Sequence, residues 1–138
     1  MDYIELHCHS AYSFGDGASD PAELAAAAAE RGYEALALTD HDNVCGAMEF
    51  AHACKGVGVR PIVGAELTTD CGHLTLLVES AIGWCNLCRL ITEAHRGTRP
   101  KSDGDPLPPS VPLAELELAS EGLVCLSGCA AAGAVGGR

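Results

Sequence analysis

Aromatic and basic residues are both scarce in this chain. One Trp, two Phe and three Tyr make up only 4% of 138 residues. The core must therefore come from small aliphatic side chains, which suits Ala-rich helices. Lys and Arg together number 8 against 19 Asp and Glu, a net charge of −11. That balance excludes gripping nucleic-acid phosphates by direct charge attraction alone. A phosphate-handling domain of this composition needs bound cations or a basic neighbour, although an acidic surface also simply suits a soluble protein. No apolar run approaches the roughly 18 residues of a membrane span. The acidic start, Met1-Asp2-Tyr3-Ile4-Glu5, has no apolar stretch of the secretory type. The expectation is a cytoplasmic chain with no membrane partner. Eight cysteines would suggest a disulfide framework in a small secreted protein. Here they sit mostly in Ala- and Leu-type segments, as small hydrophobes do, so reduced thiols are expected.

What is present is a hydrophobic fraction of 48%, enough for a single globular domain with a modest core. Residues 3–9 alternate as the edge of a strand. Asp20-Pro21-Ala22-Glu23 is a helix start, with a capping carboxylate, Pro at the first position and Glu three residues on. The Ala-rich run extends that helix to Arg31, and Gly32 stops it. Strands are predicted at residues 34–39, 61–66, 73–78 and 123–126. Further helices are predicted from Val44 to Lys55, closed by Gly56, from Gly83 to His95, and at Leu113–Ala119. Residues 97–112 hold five of the seven prolines and read as a loop or extended insertion. Alternating strands and helices indicate an α/β fold with mostly parallel strands. About five strands are too few to close a barrel, which leaves a small open sheet or the first part of a larger barrel.

The polar clusters fall where strands end. His7 and His9, two apart on a strand, share one face. Alone, such a pair fits a polar strand edge as well as half a metal site. Asp40-His41-Asp42 and Glu66 also follow strands, as does Cys129, while His73 begins one. In parallel α/β folds the carboxyl ends of strands face one cleft, so residues scattered over the chain can converge. Imidazoles, carboxylates and a thiolate together suit zinc, manganese or iron rather than calcium. Asp40 and Asp42 either orient His41 by hydrogen bonds or shape a plain loop. Cys8 faces away from the histidines and belongs to the core. Trp84-Cys85-Asn86-Leu87-Cys88 has the spacing of a redox pair, but it lies in a helix and lacks the second pair a zinc site would need.

The motifs carry a resemblance. His7-Cys8-His9-Ser10 with Tyr12-Ser13-Phe14-x-Asp16-Gly17-Ala18, then Thr39-Asp40-His41-Asp42 and Gly64-Ala65-Glu66, resemble the successive motifs of the polymerase-and-histidinol-phosphatase (PHP) domain. His73-Leu74-Thr75, Asn86–Ile91 and Leu126-Ser127-Gly128-Cys129 continue the likeness. Within the family the run is most similar to the amino-terminal domain of bacterial C-family DNA polymerases, in their error-prone branch. The resemblance implies a distorted (β/α)7 barrel, of which residues 1–138 would be the amino-terminal portion, incomplete at its carboxyl end. It implies up to three divalent metal ions. His7 and His9 would bind the first, Glu66 would bridge it to the second, His73 and Cys129 would complete the second, and Asp16 and His41 would hold the third. A buried structural role is the alternative for Cys129. A late Asp-x-His ligand pair has no counterpart, which makes truncation of a longer polymerase the expectation, with DNA and the remaining polymerase domains as partners. The implied activity is metal-dependent phosphoester hydrolysis, including 3′–5′ exonuclease action. A stand-alone phosphatase for a small phosphate ester and a non-catalytic structural module are the alternatives.

Overall fold

The computed structural model describes residues 3–99 and 104–127. The chain divides into two compact units, residues 1–65 and 66–138, and the division falls inside one strand.

The first unit is built around β1 (Ala35–Leu38), all four of whose residues are buried. A short run that is apolar at every position belongs in a strand covered on both faces. On one edge β1 pairs in parallel with the start of β2 (Arg60–Thr69), Ala35 opposite Arg60 through Leu38 opposite Val63. On the other edge lies the extended segment that carries His7 and His9. Its contact with β1 is a parallel bridge between Glu5 and Leu36, supported by bonds from Ala37 N–H to the Glu5 carbonyl (2.9 Å) and from Thr39 N–H to the Cys8 carbonyl (2.8 Å). The expected strand at residues 3–9 is thus an extended segment beside β1 rather than a full ladder.

Helix α1 (Pro21–Glu30) begins as the sequence predicts, with the Asp20 N–H donating to the Glu23 carboxylate at 3.0 Å. It packs on β1 and on α2 (Ala47–Val57). Ala25, Ala28, Leu36, Leu38, Phe50, Cys54 and Val59 form the core between them, with Cys8 packed against it. Cys8 is therefore the core-facing residue expected from strand alternation. Helix α2 is displaced from its predicted bounds at both ends. Its start waits until Ala47 because Asn43 Oδ1 takes the Cys45 N–H (2.9 Å), a local turn that competes with helix. Its end comes at Gly58, with φ of 78°, rather than at Gly56. Only a residue that enters the left-handed region cheaply closes a helix this way.

In the second unit, the end of β2 turns through Asp70 and Cys71 into β3 (Gly72–Val78). Thr69 Oγ1 caps the turn, donating to the Gly72 carbonyl at 2.6 Å and accepting from Cys71 N–H at 3.1 Å. Helix α3 (Ala81–His95) packs on β3 and on β4 (Leu123–Leu126); of the apolar stripe its periodicity predicts, Leu87, Leu90, Ile91 and Ala94, it buries all but Ile91, which is half-buried. Strand β4 pairs antiparallel with β3, Val78 opposite Leu123. The expected mostly parallel arrangement does not extend here: Asp70 and Cys71, the two residues between β2 and β3, leave no room for the crossover that parallel neighbours need, so β3 reverses direction and β4 pairs against that reversed strand. Part of the Pro-rich segment is pinned rather than free. Val111 is fully buried and donates its N–H to the Thr68 carbonyl (2.9 Å), just before the short helix α4 (Leu113–Leu118). Among the described residues, no helix is long and apolar enough to cross a membrane.

The corrected end of α2 makes two glycines two positions apart respond in opposite directions. Gly56 is helical and exposed, and a Cβ there meets nothing within 4 Å, so Gly56→Ala should stabilise the protein by about 0.5–1 kcal/mol. Gly58→Ala places a Cβ in the left-handed region and should destabilise it by roughly 1–2 kcal/mol. Denaturant midpoints of the two variants check this, and equal signs would contradict the placement of the helix end.

Candidate metal centre

The first unit brings His7, His9, Asp16 and His41 together. The backbone of residues 5–8 runs parallel to β1, so both chain segments leave their pairing at the same end. The one continues into His9-Ser10, the other into Asp40-His41. Strand alternation puts His7 and His9 on one face, and their Nε2 atoms lie 3.1 Å apart. The His9 and His41 rings meet edge to face with centroids 4.3 Å apart.

Asp16 comes from the loop that follows. Its Oδ2 accepts from His9 Nδ1 at 2.5 Å and from His41 Nε2 at 3.2 Å. These bonds, the His9 bond foremost, hold the Asp16 carboxyl below the usual carboxylate range, although its side chain is 57% exposed. In neutral His9, a proton on Nδ1 leaves Nε2 as the acceptor nitrogen, the form that ligates metals. One donor atom each from His9, Asp16 and His41 lies within 4.8 Å of the other two. That spacing and the mixture of imidazole nitrogen with carboxylate oxygen fit a divalent transition metal. An open cleft of about 430 Å³ is lined by His7, His9, Asp16, Gly17 and Ser19, among others.

Sequence reasoning left Ser10, Ser13, Thr39 and Asn43 without a role, and weighed Asp40 and Asp42 as supports for His41 or as plain loop residues. Ser10, Ser13, Thr39 and Asp40 are all buried. Asp40 accepts from Ser10 N–H (2.7 Å), Ser10 Oγ (2.7 Å) and Ser13 Oγ (2.6 Å). Asn43 Nδ2 donates to the carbonyls of Tyr12 (3.1 Å) and His41 (2.8 Å), tying the two loops together. Gly17 passes so close to the Ser10 carbonyl that a Cβ would lie 1.9 Å from its oxygen. The only sequence signal for these roles was the recurrence of Ser and Asn beside ligand-type residues. Asp42 is buried with φ of 51°, a left-handed turn that Asp tolerates better than most residues.

In the second unit, Glu66 and His73 face each other across the β2–β3 hairpin. Glu66 is buried, its side chain 2% exposed, and its Oε1 accepts from His73 Nδ1 at 2.9 Å. Cys129 lies outside the described residues. The Cys85 and Cys88 pair sits within α3, and the Cys88 thiol is pushed up by burial and then by Cys85. That is the opposite of the depression an attacking thiol requires.

Comparison with known proteins accords with this chemistry. The family model of the PHP domain matches residues 5–136. The chain is 46% identical over 140 residues to an error-prone DNA polymerase of Symbiobacterium thermophilum, covering 94% of this chain and 13% of that protein. It is 38% identical over 144 residues to the DNA polymerase III subunit alpha of Chlamydia pneumoniae, covering 94% of this chain and 11% of that one. The chain thus spans a small fraction of the length of the curated relatives it matches. Among solved structures, it is similar to an amidohydrolase from Chromobacterium violaceum with bound sulfate, at a TM-score of 0.58 and 33% identity, over 68% of this chain and 34% of the other. It also shares its fold with a protein from Bifidobacterium adolescentis provisionally assigned as a metal-dependent phosphoesterase. There the TM-score is 0.57 and the identity 23%, over 69% of this chain and 34% of the other.

The Asp16 contacts have a sign that can be checked in metal-free protein. A carboxyl whose folded value is depressed contributes stability above its unfolded value and loses it as pH falls through the folded one. The Asp16 side-chain ¹³C signal of chelator-treated chain should therefore titrate below the usual carboxylate range, and Asp16→Asn and parent should converge in urea midpoint at the acid end. A titration at or above the ordinary value would show that His9 and His41 do not hold the carboxylate.

Proposed function

The chain belongs to the PHP domain family, and from that membership we propose that it is the metal-dependent phosphoesterase region of an error-prone DNA polymerase, acting on DNA ends. The observation that carries this reading is the convergence of His9, Asp16 and His41, donor atoms within 4.8 Å, beside an open polar cleft, in a chain 46% identical to an error-prone polymerase. The sulfate bound by a structural relative supports a phosphate-sized anion as the group recognised.

The proposed ligands are His7, His9, Asp16 and His41 in the first unit and, in the second, Glu66, His73 and Cys129. Zinc, manganese or iron suits these donors. Bound divalent cations of this type make a nucleophile of water at neutral pH and offset the charge that develops on a phosphoryl group. The chain's own part is to hold the donors in the correct protonation state. Asp16 accepts a hydrogen bond from His9 Nδ1 and so leaves the opposite nitrogen, Nε2, as the acceptor. The depressed carboxyl of Asp16 remains anionic at working pH. Glu66, buried and bonded to His73, places a carboxyl group where water reaches it poorly. Cations held here reconcile a net charge of −11 with a phosphate substrate.

In the whole protein the partners would be a primer terminus and the polymerase's other domains, in the cytoplasm, during replication and damage-tolerant repair synthesis. The test is manganese- or zinc-dependent release of nucleotides from a mismatched primer end by the full-length protein. Elemental analysis should find bound metal, and chelation should abolish release. His7→Ala combined with His9→Ala should reduce the rate to about a hundredth or less, given that outer residues of metal sites alone are worth 10- to 100-fold. Undiminished release by that variant would refute the catalytic assignment.

A further inference from the structure

The carboxylate of Asp40 has no place among the proposed ligands, yet it is 1% exposed and has three donors aimed at it. A buried carboxylate is costly unless its oxygens are fully engaged. Here they are engaged by the two loops that carry ligands. Ser10 gives it both N–H and Oγ, at 2.7 Å each. Ser13 gives it Oγ at 2.6 Å. Both serines are themselves buried.

From these serines the connections run outward to the ligands. Ser10 directly follows His9. Ser13 Oγ, donating to Asp40, accepts the N–H of His41 at 3.1 Å. The Ser13 carbonyl accepts the N–H of Asp16 at 3.0 Å and of Gly17 at 2.9 Å, and Ser13 N–H donates to the Ser10 carbonyl at 2.9 Å. Three ligand-bearing positions, 9, 16 and 41, are thus each one residue or one hydrogen bond from a serine that Asp40 holds. Asp40 reaches these positions through two serines that lie about thirty residues away in sequence.

We propose that Asp40 is a positioning residue for the metal centre, fixing His9, Asp16 and His41 relative to one another through Ser10 and Ser13; the proposal rests on the reading of these residues as ligands. Charge-assisted bonds of this kind are short and directional, so the loops they hold are set in orientation as well as in place. Removal of such outer partners typically weakens metal binding 10- to 100-fold.

The test uses the full-length protein and two readouts besides activity. Zinc affinity is measured by competition with a chelating dye. In chelator-treated protein, peptide-resolved modification rates by diethyl pyrocarbonate report on His9 and His41, with exposed His52 on α2 as the reference. Asp40→Ala should weaken zinc binding about 10- to 100-fold and change the His9 and His41 rates relative to His52. Asp40→Asn retains one carbonyl oxygen for Ser10 N–H and Ser13 Oγ and should recover part of both. Zinc affinity within about twofold of the parent, with unchanged His9 and His41 rates, would overturn the proposal. If Asp40→Ala does not fold, Ser13→Ala removes a single hydroxyl from the same network. It should weaken zinc binding and alter the His41 rate, and no change in either would likewise count against Asp40. A parent protein that takes up neither zinc nor manganese overturns the metal-centre reading itself. The modification rates then decide by themselves whether Asp40 sets the two rings.

Discussion

Two backbone hydrogen bonds determine where the chemistry of the first unit lies. Ala37 donates to the Glu5 carbonyl and Thr39 to the Cys8 carbonyl, which makes the amino-terminal segment run parallel to β1. Parallel neighbours end at the same side, so side chains just past each end are brought together despite more than thirty intervening residues. His9 and His41 meet for that reason. An antiparallel pairing of the same two segments would have put His9 at one end and His41 at the other. Thr39 reinforces the arrangement from its side chain, with Oγ1 accepting the Cys8 N–H at 3.1 Å and lying 3.2 Å from the Cys8 carbonyl.

How the first-unit site was legible follows from the same fact. Strand alternation in His7-Cys8-His9 and the buried run before Asp40-His41 are local signals, and each placed its polar residues correctly. Motif order supplied Asp16, which no local rule would have selected from a loop rich in Ser, Gly and Asp. What could not be read was the bonding beneath the ligands. Whether Asp40 touches the His41 ring or reaches back to Ser10 and Ser13 depends on how a loop folds over a strand end, and a sequence window does not contain that. The bounds of α2 were missed for a related reason. Asn43 and Gly58 override helix periodicity through a side-chain bond and a backbone angle. In the second unit the elements themselves were legible, but strand direction after the Asp70-Cys71 turn was not inferred, because the alternating pattern was extended past the point where a crossover helix is absent.

Charge poses a problem that the geometry partly answers. The chain is strongly acidic, and carboxylates near the phosphate site of the proposed function would repel its ligand. The acidic groups beside the candidate ligands are each engaged by hydrogen bonds within their own unit instead. Asp16 is bonded to two imidazoles, Glu66 to a third, and Asp40 to two hydroxyls and an amide. Their negative charge is directed at donors and, in the proposed function, at cations. Exposed carboxylates elsewhere are screened over about 8 Å at physiological ionic strength and affect substrate approach much less than buried ones affect the centre.

The scarcity of large side chains bears on how the ligands are held. The core of the first unit is mostly Ala, Leu, Val and Cys, with Phe50 its one fully buried aromatic and Tyr33 packed against its edge. Such a core fixes α1, α2 and β1 against each other, but apolar packing is non-directional. Side chains that must present particular nitrogen and oxygen atoms need constraints with direction. Hydrogen bonds supply these, and the loops from Ser10 to Gly17 and from Thr39 to Asn43 are laced by them. A metal centre built on loops loses precision unless a supporting shell restrains it. In this chain the groups bonded beneath the candidate ligands, Ser10, Ser13, Asp40 and Asn43, are polar, and in the proposed function they would serve as that shell.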